Sequence, residues 1–121
     1  MYPETYKYTK DHEWIDPASG RMGVTDYAQK QLGDIVFLEL PEVGKTVKKG
    51  EQLGTVESVK AVSEVFAPMS GTVTLVNTAL VEKPEGINQD AHGSWMVVIK
   101  PADPSEARDL LDATQYAELT K

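Results

Sequence analysis

Cysteine is absent from this chain of 121 residues. Without thiols the protein can form no disulfide framework, no thiolate metal site and no cysteine nucleophile. Histidine is scarce as well, since His12 and His92 lie far apart and neither has a second ligand at helical or hairpin spacing. The sequence also lacks a Walker loop, a Gly-x-Gly-x-x-Gly turn and a Gly-x-Ser-x-Gly elbow. It therefore predicts no metal site and no catalytic residue.

Long apolar runs are missing too, so no segment is suited to crossing a bilayer. Lys and Arg number 12 against 19 Asp and Glu, which gives a net charge of −7 at pH 7. A negative field repels phosphate groups, so we expect neither nucleic acid nor a membrane as a partner. Residues 1–4 resemble neither a secretory signal nor a transit peptide. We therefore expect a cytoplasmic bacterial protein, with a mature mitochondrial form as the alternative.

Short strands separated by glycine and proline dominate the hydrophobic pattern. Hydrophobic residues make up 40% of the chain, which at this length is enough for one core. Runs rich in Val, Ile, Thr and aromatic residues predict strands at residues 13–15, 22–25, 35–40, 53–57, 61–67, 72–76 and 96–99. Many short strands joined by close turns favour a mainly β barrel or sandwich. We predict a single domain over residues 1–121.

Two helical segments interrupt these strands. Thr25 has the residue type of an N-cap, and Gly33 can end the helix that follows. Asp103, a proline and Glu106 have the spacing of an N-cap, a first helical position and a capping box. A C-terminal helical segment is therefore expected at about residues 104–119. Its residues that should pack on the β core are Leu110, Leu111, Tyr116 and Leu119.

The most unusual segment is the predicted hairpin at residues 53–67, which carries Lys60 at its tip. A tight hairpin normally reverses through Asn-Gly or Asp-Gly, because its turn residues need positive φ angles. Here the tip reads Val59-Lys60-Ala61, so the loop must be wider or the rest of the fold must hold it. The local residues leave two interpretations open, an ordinary solvated lysine or a lysine displayed for covalent modification.

Motifs on both sides of this hairpin follow one another along nearly the whole chain. They lie at residues 8–14, 23–29, 32–36, 39–44, 56–63, 67–71 and 84–90, with Asn77, Trp95 and residues 99–101. In order and spacing they resemble the H-protein family of the glycine cleavage system, and the segment Glu57-Ser58-Val59-Lys60-Ala61 is highly specific. The chain departs from the family pattern just before Trp95, where Ala91-His92-Gly93-Ser94 replaces Pro-Tyr-Gly and a short insert, and at Glu64, where aspartate is common.

The resemblance implies a fold, a cofactor and a set of partners. The fold is a barrel-sandwich hybrid of two small antiparallel sheets with short helices, as in lipoyl and biotinyl carriers. Lys60 would bear (R)-lipoate as an amide, making the protein a carrier rather than an enzyme. It would take an aminomethyl group from a pyridoxal-phosphate glycine decarboxylase to a tetrahydrofolate-dependent aminomethyltransferase and be reoxidised by dihydrolipoyl dehydrogenase. A lipoate attachment enzyme would read the residues around Lys60, namely Glu57, Ser58, Val59, Ala61 and Glu64.

Acidic residues could also protect the loaded arm. A nearby carboxylate favours the ammonium form of the cargo amine, which has no lone pair to expel the sulfur. The candidates are Asp11, Glu13 and Glu64, with Trp14 as a wall of the cleft, and the resemblance favours Glu13. Glu13 could instead only tie the N-terminal strand to the core. Other functions stay open: a lipoyl relay, a non-carrier relative of the same fold, or a biotin carrier, whose lysine usually lies between two methionines.

Overall fold

The chain folds into two antiparallel β-sheets that enclose one apolar core. The computed structural model describes residues 2–121, so Met1 of the predicted domain lies outside the described residues. The strands are β1 (Lys7–Tyr8), β2 (Glu13–Ile15), β3 (Arg21–Val24), β4 (Ile35–Glu39), β5 (Thr46–Val47), β6 (Gln52–Ser58), β7 (Val62–Phe66), β8 (Gly71–Val76) and β9 (Val97–Pro101). Six of them form a large sheet in the order β1-β2-β3-β9-β8-β5, and three form a small sheet in the order β4-β6-β7.

The predicted mainly β, barrel-sandwich architecture is confirmed. Each predicted strand is present, and its ends lie within two residues of the predicted ends. Two strands were not predicted, β1 and β5, and each contains only two residues. Within residues 2–121 the outermost strands of a sheet do not pair with each other, so neither sheet closes into a barrel.

The core lies between the two sheets. Ile15 and Met22 reach it from the large sheet, and Leu38, Val56 and Val65 from the small one, all with no more than 2% of their surface exposed. Leu38 is paired with Val56 across β4 and β6, so both point to the same face. A slip of one residue would turn these side chains to solvent, which fixes the register of the hairpin β6–β7.

Local capping signals explain the first helix, α1 (Asp26–Leu32). Its N-cap Thr25 accepts a hydrogen bond from the Ala28 N–H, and it ends at Gly33, whose φ of 81° suits glycine. Both limits are as predicted. Two further helices, α2 (Thr78–Glu82) and α3 (Gly86–Gln89), were not predicted. Within residues 2–121 no helix combines the length and the apolar character that crossing a membrane requires.

The C-terminal segment forms two short helices separated by a break. The first is a 3₁₀ helix, Pro104–Asp109, and the second is α4 (Ala113–Leu119). Asp103 caps the first as predicted, but Glu106 forms no capping box, because its carboxylate accepts hydrogen bonds from the N–H and hydroxyl of Ser70. A capping box is found instead in α4, between Asp112 and Gln115. Leu110 and Tyr116 are buried, whereas Leu119 is 49% exposed, so the packing predicted for Leu119 is wrong.

Candidate functional site

The tip of the β6–β7 hairpin is closed by a serine side chain. None of the three loop residues, Val59, Lys60 and Ala61, has a positive φ angle. The Ser58 N–H donates to the Ala61 carbonyl at 2.8 Å, and the Ser58 hydroxyl oxygen lies 3.0 Å from the Ala61 nitrogen that donates to it. The Lys60 N–H donates to the same oxygen at 3.3 Å. The Ser58 side chain thus accepts hydrogen bonds from two backbone N–H groups of the loop and stabilises a turn that lacks the usual Asn-Gly or Asp-Gly residues.

The tip is also held by the connection between α1 and β4. The Val59 N–H donates to the carbonyl of Asp34 at 3.0 Å. A Cβ placed on Gly33 would lie 3.6 Å from the Cε atom of Lys60, so the lysine side chain passes close to the end of α1. Lys60 itself is exposed and forms no salt bridge with another described residue. The hairpin therefore fixes the backbone of this lysine while its amine stays accessible.

Glu57 and Glu64 lie on the outward face of the small sheet. Glu57 is opposite Val62 in the pairing of β6 with β7, and Glu64 is opposite Thr55 two residues farther along. Residues directly opposite each other share a face, and alternate residues of a strand share it too. The structure thus brings the two acids of the predicted attachment motif to one side of the tip, where both are exposed.

Two clefts open beside β7, and Asp11 lines both of them, whereas Glu13 and Glu64 each line one. The first has a volume of about 510 Å³ and is lined by both Asp11 and Glu64, together with Val62 near the tip. The second, about 220 Å³ and mainly apolar, is lined by Glu13 and also by Asp11. Trp14 lines neither cleft: it packs in an aromatic cluster, and its indole N–H donates to the Ala91 carbonyl.

Glu13 is a buried carboxyl that links the two sheets. Only 1% of its surface is exposed. One oxygen accepts from the hydroxyl of Thr9 and the other accepts from the Phe66 N–H of β7 at 3.1 Å. Burial raises the pKa of this carboxyl to about 7, and the two hydrogen bonds offset only part of that effect. Both oxygens are engaged by the protein, which is the geometry expected of a tie between the N-terminal strand and the core.

The two histidines have structural surroundings. His12, with φ 71°, is hydrogen-bonded through Nδ1 to the hydroxyl of Tyr116 in α4. His92 accepts from the Asp26 N–H at the start of α1. Burial lowers the pKa of both imidazoles, which favours their neutral forms. Sequence reasoning did not find the histidine contacts, because they join residues that are far apart in sequence. It also missed the contacts of Ser58, because they depend on the conformation of the turn that this side chain closes.

A small two-sheet domain that presents one accessible lysine on a braced hairpin has the arrangement of a covalent carrier protein. The comparisons with known proteins agree with this class. The family model described as Glycine cleavage H-protein matches residues 6–121. The chain belongs to this family, the lipoyl carriers of the glycine cleavage system, and is accordingly a carrier and not a catalyst.

Curated relatives cover almost the full length of the chain. A Glycine cleavage system H protein of Koribacter versatilis is 58% identical over 115 residues, covering 95% of this chain and 90% of the relative. One from Acidobacterium capsulatum is 55% identical over 122 residues, covering 99% and 95%. A crystal structure of a glycine cleavage system H protein from Mycobacterium marinum superposes with a TM-score of 0.88, at 44% identity and 97% coverage of both chains. Fold and family are therefore shown along nearly all of the described chain.

Proposed function

We propose that Lys60 is the residue of this chain that carries lipoate. The observation that supports the proposal is the Ser58-closed tip, which holds Lys60 outward within the segment that resembles the family's attachment motif. When attached, lipoate supplies a dithiolane that accepts a group together with a pair of electrons. The task of the protein is then to hold the attachment point still and leave the amine free.

The surroundings of Lys60 suit such a group better than those of the neighbouring lysines. The cleft of about 510 Å³ begins at Val62, two residues after Lys60, so a long arm could fold back into it. Lys49, in contrast, lies in the turn before β6, where its amine is 3.3 Å from the carboxylate of Asp109. An amine engaged in an ion pair must lose that contact before it can be acylated.

The acids of this cleft support a second part of the proposal, protection of the aminomethyl cargo. Asp11 and Glu64 line the cleft from opposite elements, the turn before β2 and the strand β7. A carboxylate near an amine stabilises its ammonium form and so holds a proton on the nitrogen. Glu13 is buried and has a supporting role. Its hydrogen bonds with Thr9 and Phe66 hold the turn that carries Asp11 against β7.

The remaining assignments follow from family membership. We infer four protein partners: a pyridoxal-phosphate glycine decarboxylase, a tetrahydrofolate-dependent aminomethyltransferase, dihydrolipoyl dehydrogenase and a lipoate attachment enzyme. The net charge of −7 favours rapid, salt-dependent encounters with basic surfaces on such partners. We also propose that residues 1–121 act as one carrier domain and that the protein works in the bacterial cytoplasm.

The attachment site is tested by lipoylation of the purified protein. Incubation with a lipoate ligase, ATP and lipoate should add one lipoyl group by intact mass, and peptide mapping should place it on Lys60. Lys60→Arg should remove the modification and abolish glycine cleavage, because arginine keeps the charge but forms no stable amide. Lys48→Arg is the matched control and should be modified as the natural sequence is. Lipoate on Lys48 or Lys49, or normal glycine cleavage by Lys60→Arg, would refute the assignment.

A further inference from the structure

Apolar side chains are exposed around the tip that carries Lys60. Val36 and Phe37 of β4 are 50% and 51% exposed, and Val59 and Val62 beside the lysine are 71% and 64% exposed. Burying such side chains against a partner is favourable, and apolar patches on a small domain often mark binding surfaces. This group lies partly on the hairpin that carries Lys60 and partly on β4, the strand paired with β6.

The strand register turns this group into an ordered surface. Phe37 is opposite Glu57, and Glu57 is opposite Val62, so these three side chains form one row across the small sheet. Glu39, Thr55 and Glu64 form the next row. We call these two rows the outer face. The row nearer the tip is apolar except for Glu57. The row farther from the tip contributes two more acids, Glu39 and Glu64.

A bulge in β4 adds apolar surface to the outer face. Ile35 pairs with Ser58, and Phe37 pairs with the next residue, Glu57, so Val36 is an extra residue in β4. In a regular strand, only one of Val36 and Phe37 would point outward. Because of the bulge both are exposed, while Ile35 and Leu38 on either side remain buried. Bulges re-aim side chains and are frequent beside functional sites.

We propose that the outer face docks the enzyme that attaches lipoate to Lys60, and that this enzyme meets it with an apolar surface flanked by basic side chains. The inference rests on the proposed function. In the reaction the Lys60 amine forms an amide with the acyl carbon of an acyl adenylate, AMP leaves and the amine loses a proton. An unmodified lysine is short, so the enzyme must approach the residues that adjoin the tip. Once the arm is attached, an enzyme can reach its end from farther away.

The negative charge of the outer face also supports docking of the attachment enzyme rather than of a second copy of this chain. The outer face carries Glu39, Glu57 and Glu64, all exposed, in a protein with a net charge of −7. Opposite charge on the partner would accelerate encounter and orient the complex, and the effect should weaken as salt rises. A second copy of this chain would bring its own three acids against these, which opposes self-association through the same surface.

The test measures lipoate transfer to the full-length apo-protein at a series of carrier concentrations, with lipoate ligase, ATP and lipoate. Phe37→Ser should raise the carrier concentration that gives half-maximal rate by about tenfold, an effect typical of a central aromatic contact. The maximal rate should stay near that of the natural sequence, because the amine and its turn are unchanged. Leu75→Ser is the matched control, since Leu75 is 55% exposed on β8 of the other sheet. It should change neither quantity.

Two further variants separate docking from damage to the fold. Phe37→Leu keeps an apolar side chain and should recover most of the lost affinity, while thermal unfolding of both Phe37 variants should remain close to that of the natural sequence. Glu57→Gln should flatten the salt dependence of the half-maximal concentration, and Glu82→Gln, an exposed acid of α2, should not. A Phe37→Ser protein that is modified with unchanged kinetics would overturn the inference.

The outcomes also distinguish this inference from the attachment site on which it rests. If the natural sequence is not lipoylated at Lys60, the proposed function fails. If it is lipoylated there and Phe37→Ser behaves identically, only the docking inference fails. Sedimentation that shows a dimer dissociated by Phe37→Ser would assign the outer face to a second copy of the chain. Normal lipoylation of Phe37→Ser combined with slower glycine cleavage would assign it to the other enzymes, and either result overturns the proposal.

Discussion

Replacing Glu13 with glutamine should remove the pH dependence that this buried carboxyl gives to the free energy of unfolding. The pKa of Glu13 is about 7 in the folded protein, against an ordinary value of 4.5. A folded-state pKa above the unfolded one means that the native protein binds the proton more tightly. The resulting stabilisation is fully present below about pH 4.5 and is lost as the pH rises through 7. The difference in pKa corresponds to about 3 kcal/mol.

Glutamine is a suitable probe because it is neutral and can keep both hydrogen bonds. Its amide oxygen can accept from the Phe66 N–H, and its amide nitrogen can donate to the Thr9 hydroxyl oxygen. At pH 5 the natural sequence is mostly protonated at Glu13, so the two proteins should be similarly stable. At pH 8 the natural sequence holds a buried carboxylate, so Glu13→Gln should be the more stable by up to about 3 kcal/mol.

Urea unfolding at intervals from pH 5 to pH 8 measures this difference directly. His12 and His92 contribute with the opposite sign, because burial lowers their pKa values and their stabilisation is lost as the pH falls below about 6.5. Both histidines are present in each protein, so their contribution cancels in the comparison. Glu64→Gln, at an exposed position, is the control for loss of one negative charge. A stability difference that is the same at pH 5 and pH 8 would refute the assignment of a protonated, buried Glu13.

Two further predictions concern the tip and its cleft. Ser58→Ala removes the acceptor for the Ala61 and Lys60 N–H groups, so it should destabilise the protein by about 1 kcal/mol in urea unfolding. It should also slow lipoylation of Lys60, and Ser58→Thr should recover part of the rate. Unchanged lipoylation kinetics in Ser58→Ala would show that the hydroxyl does not shape the tip. Combined Asp11→Asn and Glu64→Gln should speed the loss of ammonia from the isolated, loaded carrier, whereas Glu57→Gln should not, because Glu57 does not line the cleft. Equal rates in all three proteins would remove Asp11 and Glu64 from the shelter.

The elements that sequence could predict are those with local causes. The limits of α1 follow from Thr25 and Gly33, both of which act on the helix they bound. The strands of the hairpin follow from short runs rich in β-forming residues that are bounded by glycine and proline. Glu106 shows where such reasoning fails: its spacing from Asp103 fits a capping box, but its carboxylate binds Ser70, far away in sequence. Local propensity cannot reveal a competing donor that only the tertiary fold supplies.

In the candidate site, too, features with local causes could be predicted from the sequence and features that depend on the tertiary fold could not. The resemblance pointed to Lys60 and to the acids around it, and the turn chemistry correctly indicated that the tip needed additional support. The sequence did not show that Ser58 supplies that support, because a serine in a strand is compatible with many contacts. It also placed Asp11, Glu13 and Glu64 in one group, whereas the structure buries Glu13 and leaves Asp11 and Glu64 exposed. Asp11 lines both clefts, while Glu13 and Glu64 each line only one of them.

The register of one hairpin determines the position of every part of this site. Leu38 and Val56 are buried on the inner side of the small sheet, so the outer face, the tip and the edge along β7 occupy fixed places around Lys60. A slip of one residue in β6 would bury Glu57, expose Val56 and move Ser58 away from the turn it closes. Core packing therefore does more than stabilise the carrier. It holds Lys60, the proposed docking surface and the cleft beside β7 in one fixed arrangement.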